Sequence, residues 1–159
     1  MNTMKDSLLV IPTAVVDDTL AYLRHAGDRK SEGVVLWLGR RGPSGITVTE
    51  AYVPEQEAAC DYFRIPPRAM AALLTHLGDT GTFITAQVHS HPREAFHSEA
   101  DNTWAIVRHL GALSFVVPHF ARDAAAGNFV RQIAAFRLNQ MNVWQELDAA
   151  DRERTIEIA

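Results

Sequence analysis

A single cysteine, Cys60, is all the thiol chemistry the chain holds. This excludes an internal disulfide and any CxxC metal or redox pair, so nothing in the sequence requires an oxidising compartment. Basic clusters are equally scarce: none is longer than the Arg40-Arg41 pair, and the formal net charge is -4. The electrostatic footprint of a nucleic-acid binder is missing. No run reaches the ~18 apolar residues of a membrane helix. The N-terminal apolar stretch is interrupted by Pro12 and closed by Asp17 and Asp18, without a small-residue cleavage site. A cytoplasmic protein is expected, with neither nucleic acid nor a membrane as partner.

Repeats, linkers and low-complexity tracts are also lacking, so residues 1–159 read as one domain. That length buries about two thirds of the unfolded surface in a single core. With 47% hydrophobic and 21% charged residues the composition is that of an ordinary globular protein.

Periodicity places the elements. SLLVIP (7–12) reads as a strand, and AVVDDTLAYLRHAG (14–27) as a helix stopped by Gly27. GVVLWLG (33–39) is an apolar run expected of a strand buried on both faces, and the alternating GITVTEAYVP (45–54) is its hairpin partner across RRGPSG. PPRAMAALLTHLGD (66–79) predicts a second helix, with Met70, Leu73, Leu74 and Leu77 on one face and Gly78 at its end. FITAQVHSH (83–91) predicts a strand, and SEADNTWAIVRHLG (98–111) a helix with Ser98 as N-cap. LSFVVP, FVRQIAAFRL and MNVWQEL read as further strands, and DAADRERTIEIA as a polar tail. Trp37, Trp104 and Trp144 fall on predicted elements and read as core. The element order predicts a mixed sheet with helices, an α/β or α+β sandwich.

The chemistry concentrates in VHSHPREAFHSEAD (88–101). His89 and His91 stand two apart at a strand end, so their rings share a face and can converge on one ion. Asp101, in the first turn of the next helix, supplies a carboxylate. Two imidazoles and one carboxylate leave a coordination position open, as catalytic Zn²⁺ requires. Ser98 stands near that position, where a hydroxyl donates to the oxyanion of a tetrahedral intermediate. The same S-x-x-D is also a helix-capping pattern. HxH occurs in barrel amidohydrolases too, but a (β/α)₈ barrel takes ~250 residues. The ligand set also suits non-haem Fe(II), a reading that gives Ser98 no role. Within the motif no general base is evident. His97, beside it, has no defined role, and His25, His76, His109 and His119 read as surface or satisfied core residues. Cys60 has no paired histidine and reads as a small hydrophobe or a loop residue.

HSHP followed by SEAD resembles the HxHP…SxxD signature of the JAB/MPN/Mov34 metalloproteases, also called JAMM or MPN+ proteins, and the AQV before it resembles the strand that leads in. In that family a glutamate precedes the first buried hairpin strand; SEGVVLWLG puts Glu32 in the matching position. The resemblance implies a base in Glu32, one Zn²⁺ per chain on His89, His91 and Asp101, and catalytic roles for Glu32 and Ser98. It also implies a cytidine-deaminase-like sandwich, a central mixed sheet flanked by helices. The loop between His91 and Ser98 is one residue shorter than the family's better-known pattern.

Activity follows from the same resemblance: a peptidase or isopeptidase that cleaves the amide after the C-terminal tail of a ubiquitin-like protein, with the tail added to a sheet edge as a strand. Small stand-alone members are similar to bacterial JAB proteins that accompany E1-like and E2-like enzymes in antiphage or sulfur-carrier pathways. Trimming of a sulfur-carrier protein is one alternative, and a catalytically inactive MPN-type binding scaffold another. The segment from Tyr52 to Pro67 corresponds to an insertion that clamps substrate in the resembling enzymes, and reads equally as a surface loop.

Overall fold

The computed structural model describes residues 8–96 and 106–159. His97, Ser98, Asp101 and Trp104 lie outside the described residues. In chain order the elements are β1 (Leu9–Ile11), α1 (Thr13–Asp28), β2 (Val34–Gly42), β3 (Gly45–Tyr52), β4 (Glu57–Ala58), β5 (Phe63–Arg64), α2 (Pro67–Thr80), β6 (Phe83–Ser90), β7 (Leu113–Val117), α3 (Phe129–Gln132), β8 (Ala134–Leu138), β9 (Trp144–Glu146), α4 (Ala149–Thr155) and β10 (Ile156–Ile158). Among the described residues eight strands form one mixed sheet in the order β10-β1-β3-β2-β6-β7-β8-β9, and β4 and β5 make a separate small hairpin. β1 runs parallel to β3 and β10, and β6 parallel to β7; the other neighbours are antiparallel. The class is mixed α/β.

Side-chain alternation along β2 explains its unbroken apolar run. Val35 and Trp37 point to one face, where they pack with Val16, Leu20 and Leu23 of α1 and with Phe115 and Phe129. Val34, Leu36 and Leu38 point to the other, against Phe63 and Leu73. Both faces are covered, so neither position parity admits polar residues. Trp37 is the largest buried side chain on the first face: its ring centroid lies 5.5 Å from those of both Phe115 and Phe129. Its indole N–H donates to Thr19 Oγ1 at 2.8 Å.

Glycines do different work from that expected. α1 runs past Gly27 to Asp28. A Cβ at Gly27 would overlap the Cβ of Phe120, so the residue is there for close approach rather than as a stop. In most helices Gly→Ala adds about 1 kcal/mol of stability. Here the sign inverts: Gly27→Ala is expected to lose about 1–3 kcal/mol by overpacking, read as a lower urea midpoint at unchanged slope. α2 likewise continues through Gly78 and ends at Gly81, whose φ of 66° is the left-handed cap. Leu74 is 65% exposed, so the buried face of α2 is set by Ala69 and Leu73, with Met70 and Leu77 at its margin.

Three further expectations are corrected. Residues 129–132 of FVRQIAAFRL form the short helix α3, and the strand starts only at Ala134. DAADRERTIEIA is structured: Asp148 caps α4 by accepting from the Asp151 N–H at 2.8 Å, and β10 pairs with β1. Two isoleucines among charges gave too short an alternation to read as a strand. The helix predicted to reach Gly111 does not: residues 106–111 are irregular and end in a turn with Gly111 at φ 81°. Among the described residues no helix is long and apolar enough to cross a membrane.

Candidate active site

Strand register brings the site together. β2 and β6 are antiparallel with Val34 opposite His89. Continuing that register by two residues sets Glu32 opposite His91. Because strand side chains alternate, Glu32, Val34, His89 and His91 all project to the α2 face. Glu32 Oε1 lies 3.8 Å from His91 Nε2. The two imidazole centroids are 5.1 Å apart. All three side chains are nearly sealed from solvent: Glu32 is 3% exposed, His89 0% and His91 2%.

Each is fixed by its backbone. The Glu32 N–H donates to Ala59 C=O at 2.8 Å. The Gly33 N–H donates to Ser90 Oγ at 3.1 Å, and the Ser90 N–H returns to Gly33 C=O at 3.1 Å. His91 N–H donates to Val117 C=O, and its own C=O accepts from Phe120 N–H at 2.8 Å. Phe120 belongs to an unusual run, His119, Phe120 and Ala121, all at positive φ between 51° and 62°. Left-handed backbone costs roughly 1–2 kcal/mol per non-glycine residue. The Arg24 guanidinium holds the run by donating to the carbonyls of Ala121 and Ala124. Arg24→Met is therefore expected to destabilise the chain by about 1.5–3 kcal/mol, the range for a charged hydrogen bond, in a denaturant titration.

The segment after Tyr52 is no plain loop. It forms the β4–β5 hairpin and drives Phe63, 4% exposed, against His89 at a centroid distance of 5.2 Å. On the open side Phe96, 53% exposed, stands edge-on to His91 at 4.6 Å. Neither aromatic stood out in the sequence: only the fold brings Phe63 to the histidines, and Phe96, though inside the motif, carries no ligand or acid–base chemistry. Gln56 was also missed; its side chain bonds the backbone of Val34. Cys60 is exposed, and His76 meets Glu50 at 2.8 Å.

A buried carboxylate is costly unless positive charge compensates it. Two imidazoles on one face form a nitrogen donor pair of the kind that divalent transition metals take. Among the described residues no group of three or more His, Cys, Asp or Glu is arranged to hold a metal ion. The third expected ligand, Asp101, and Ser98 lie outside them.

No protein-family profile matches the chain. Its fold is similar to the solution structure of protein DSY2949 from Desulfitobacterium hafniense, with a TM-score of 0.67 at 18% identity over 96% of this chain and 93% of that one. A protein from Salinibacter ruber is similar with a TM-score of 0.54, at 18% identity over 87% and 88% of the two chains. These likenesses define a shared mixed α/β fold. In sequence the chain is 32% identical, over 99% of both chains, to a Sinorhizobium fredii protein named probable metalloprotease y4jG. The chain belongs to the family of that protein.

Proposed function

We propose that this chain is a zinc-dependent peptidase of the JAB/MPN type, which hydrolyses the amide after the C-terminal tail of a ubiquitin-like protein. The observation that carries the reading is the buried approach of Glu32 to His91, at 3.8 Å, in a chain of a metalloprotease-named family. His89, His91 and Asp101 would hold the metal. Zinc would supply Lewis-acid activation of water and of the scissile carbonyl.

The chain's own groups do the rest. A Glu32 carboxylate oxygen takes a proton from the attacking water as the new C–O bond forms. It then delivers that proton to the departing amine nitrogen as the C–N bond breaks, leaving a carboxylate and an amine. The Ser98 hydroxyl donates to the oxyanion in between. Burial of Glu32 excludes bulk water, so the proton is not lost to solvent. The HSHP…SEAD resemblance supports the ubiquitin-like substrate, with E1-like and E2-like enzymes as partners in the same pathway.

The test is cleavage of a ubiquitin-like fusion, measured with metal content. Protein supplied with zinc is expected to hold one ion per chain, and to cleave at the end of the ubiquitin-like tail. A chelator should abolish cleavage and added zinc restore it. Asp101→Ala should lose the ion. Protein that holds no stoichiometric metal after zinc is supplied would instead be a binding scaffold. Cleavage confined to a sulfur-carrier precursor would move the substrate to that class.

A further inference from the structure

We infer that Gln56 is a positioning residue for Glu32: its side-chain amide replaces a missing strand partner and holds the segment that carries the base. The inference rests on the peptidase reading for its effect on rate, though not for its structural part. β3 pairs with β2 from the hairpin as far as Tyr52, opposite Leu36. Two residues further the same register would set Pro54 opposite Val34. Proline has no N–H to give, and the chain turns away there. Val34 is nevertheless fully buried, where unmatched backbone polar groups are expensive.

Gln56 fills the gap. Its Oε1 accepts from the Val34 N–H at 2.9 Å, and its Nε2 donates to the Val34 C=O at 3.0 Å. The same Nε2 donates to the Pro54 C=O at 2.9 Å, which fixes the amide's own orientation. A primary amide offers donor and acceptor together, as a peptide unit does. Glu32 lies two residues before Val34. On the β6 side Ser90 already holds Gly33. Ala59, three residues beyond Gln56, accepts from the Glu32 N–H. Gln56 thus closes the open edge of the segment and keeps Glu32 opposite His91.

Two variants test this in the full, zinc-supplied chain. Gln56→Met keeps the length but removes all three hydrogen bonds. Gln56→Glu keeps an acceptor for the Val34 N–H and loses both donors at neutral pH. Hydrogen–deuterium exchange at the Val34 amide is expected to rise roughly 10-fold or more in Gln56→Met, with zinc content unchanged. Displacement of a catalytic group by ~1 Å costs on the order of 10² in rate. The expected result is a kcat lower by about 10–100-fold with KM within about twofold, and at least as large a loss in Gln56→Glu, whose carboxylate oxygen would face the Val34 and Pro54 carbonyls.

In a Glu32→Gln background, Gln56→Met should cause no further loss of kcat, which a merely structural role would not predict. Unchanged exchange at Val34 would overturn the inference. So would undiminished kcat in Gln56→Met, or a full additional loss in the Glu32→Gln background. A wild type inert on every amide substrate would refute the peptidase reading instead. The amide's structural role would then be decided by the Val34 exchange alone.

Discussion

Glu32→Gln is expected to lower kcat for amide hydrolysis by about 10²–10⁴-fold, the range attributable to a positioned general acid–base. Zinc content should stay at the wild-type level, because the variant keeps His89, His91 and Asp101. The fold should also be retained: glutamine has nearly the shape of glutamate, and it relieves the burial of a charge at a site 3% exposed. A variant of this kind separates proton transfer from binding, since KM should move little while kcat falls. Glu55→Gln is the fitting control. Glu55 is an exposed carboxylate whose hydrogen bond from Arg68 holds it below the usual carboxylate range. Exposed pairs of this kind contribute little, so activity should be unchanged. Wild-type cleavage by Glu32→Gln would remove the base from the mechanism.

Trp37→Ala should have the largest effect on stability, a loss of about 3–5 kcal/mol. The indole is fully buried between Phe115 and Phe129, and a cavity there opens beneath the strand that leads out of Glu32. Little of the loss should be polar. The Thr19 hydroxyl that accepts from the indole also donates to Val15 C=O at 2.7 Å, so it keeps a partner. Urea titration measures the difference. A shift below about 1 kcal/mol would mean that the core collapses around the gap, contrary to the usual rigidity of packed interiors.

Much of this arrangement was legible in the chain before folding. GVVLWLG announced a doubly buried strand because its apolar run has no polar parity, and β2 is that strand. FITAQVHSH ended in two histidines of one parity, and His89 of β6 and His91 just past its end share a face with Glu32. What could not be read were features made by distant pairing. IEI is too short to signal a strand until β1 offers it an edge. Gln56 looks like any polar loop residue until Pro54 fails to pair with Val34. Phe63 becomes a wall of the site only when the β4–β5 hairpin brings it against His89. Glycine misled for a related reason: Gly27 answers a neighbour at Phe120, which no local pattern contains. The SxxD half of the motif, Ser98 and Asp101, lies outside the described residues.

The proposed mechanism requires a metal ion between His89 and His91 with Glu32 beside it. Diffraction from crystals of the zinc-supplied protein, collected on both sides of the zinc absorption edge, tests this directly. One strong anomalous peak per chain is expected within bonding distance of both imidazoles and of Asp101, with the Glu32 carboxylate next to it. A peak held by other side chains, or none at all in zinc-saturated crystals, would contradict that mechanism.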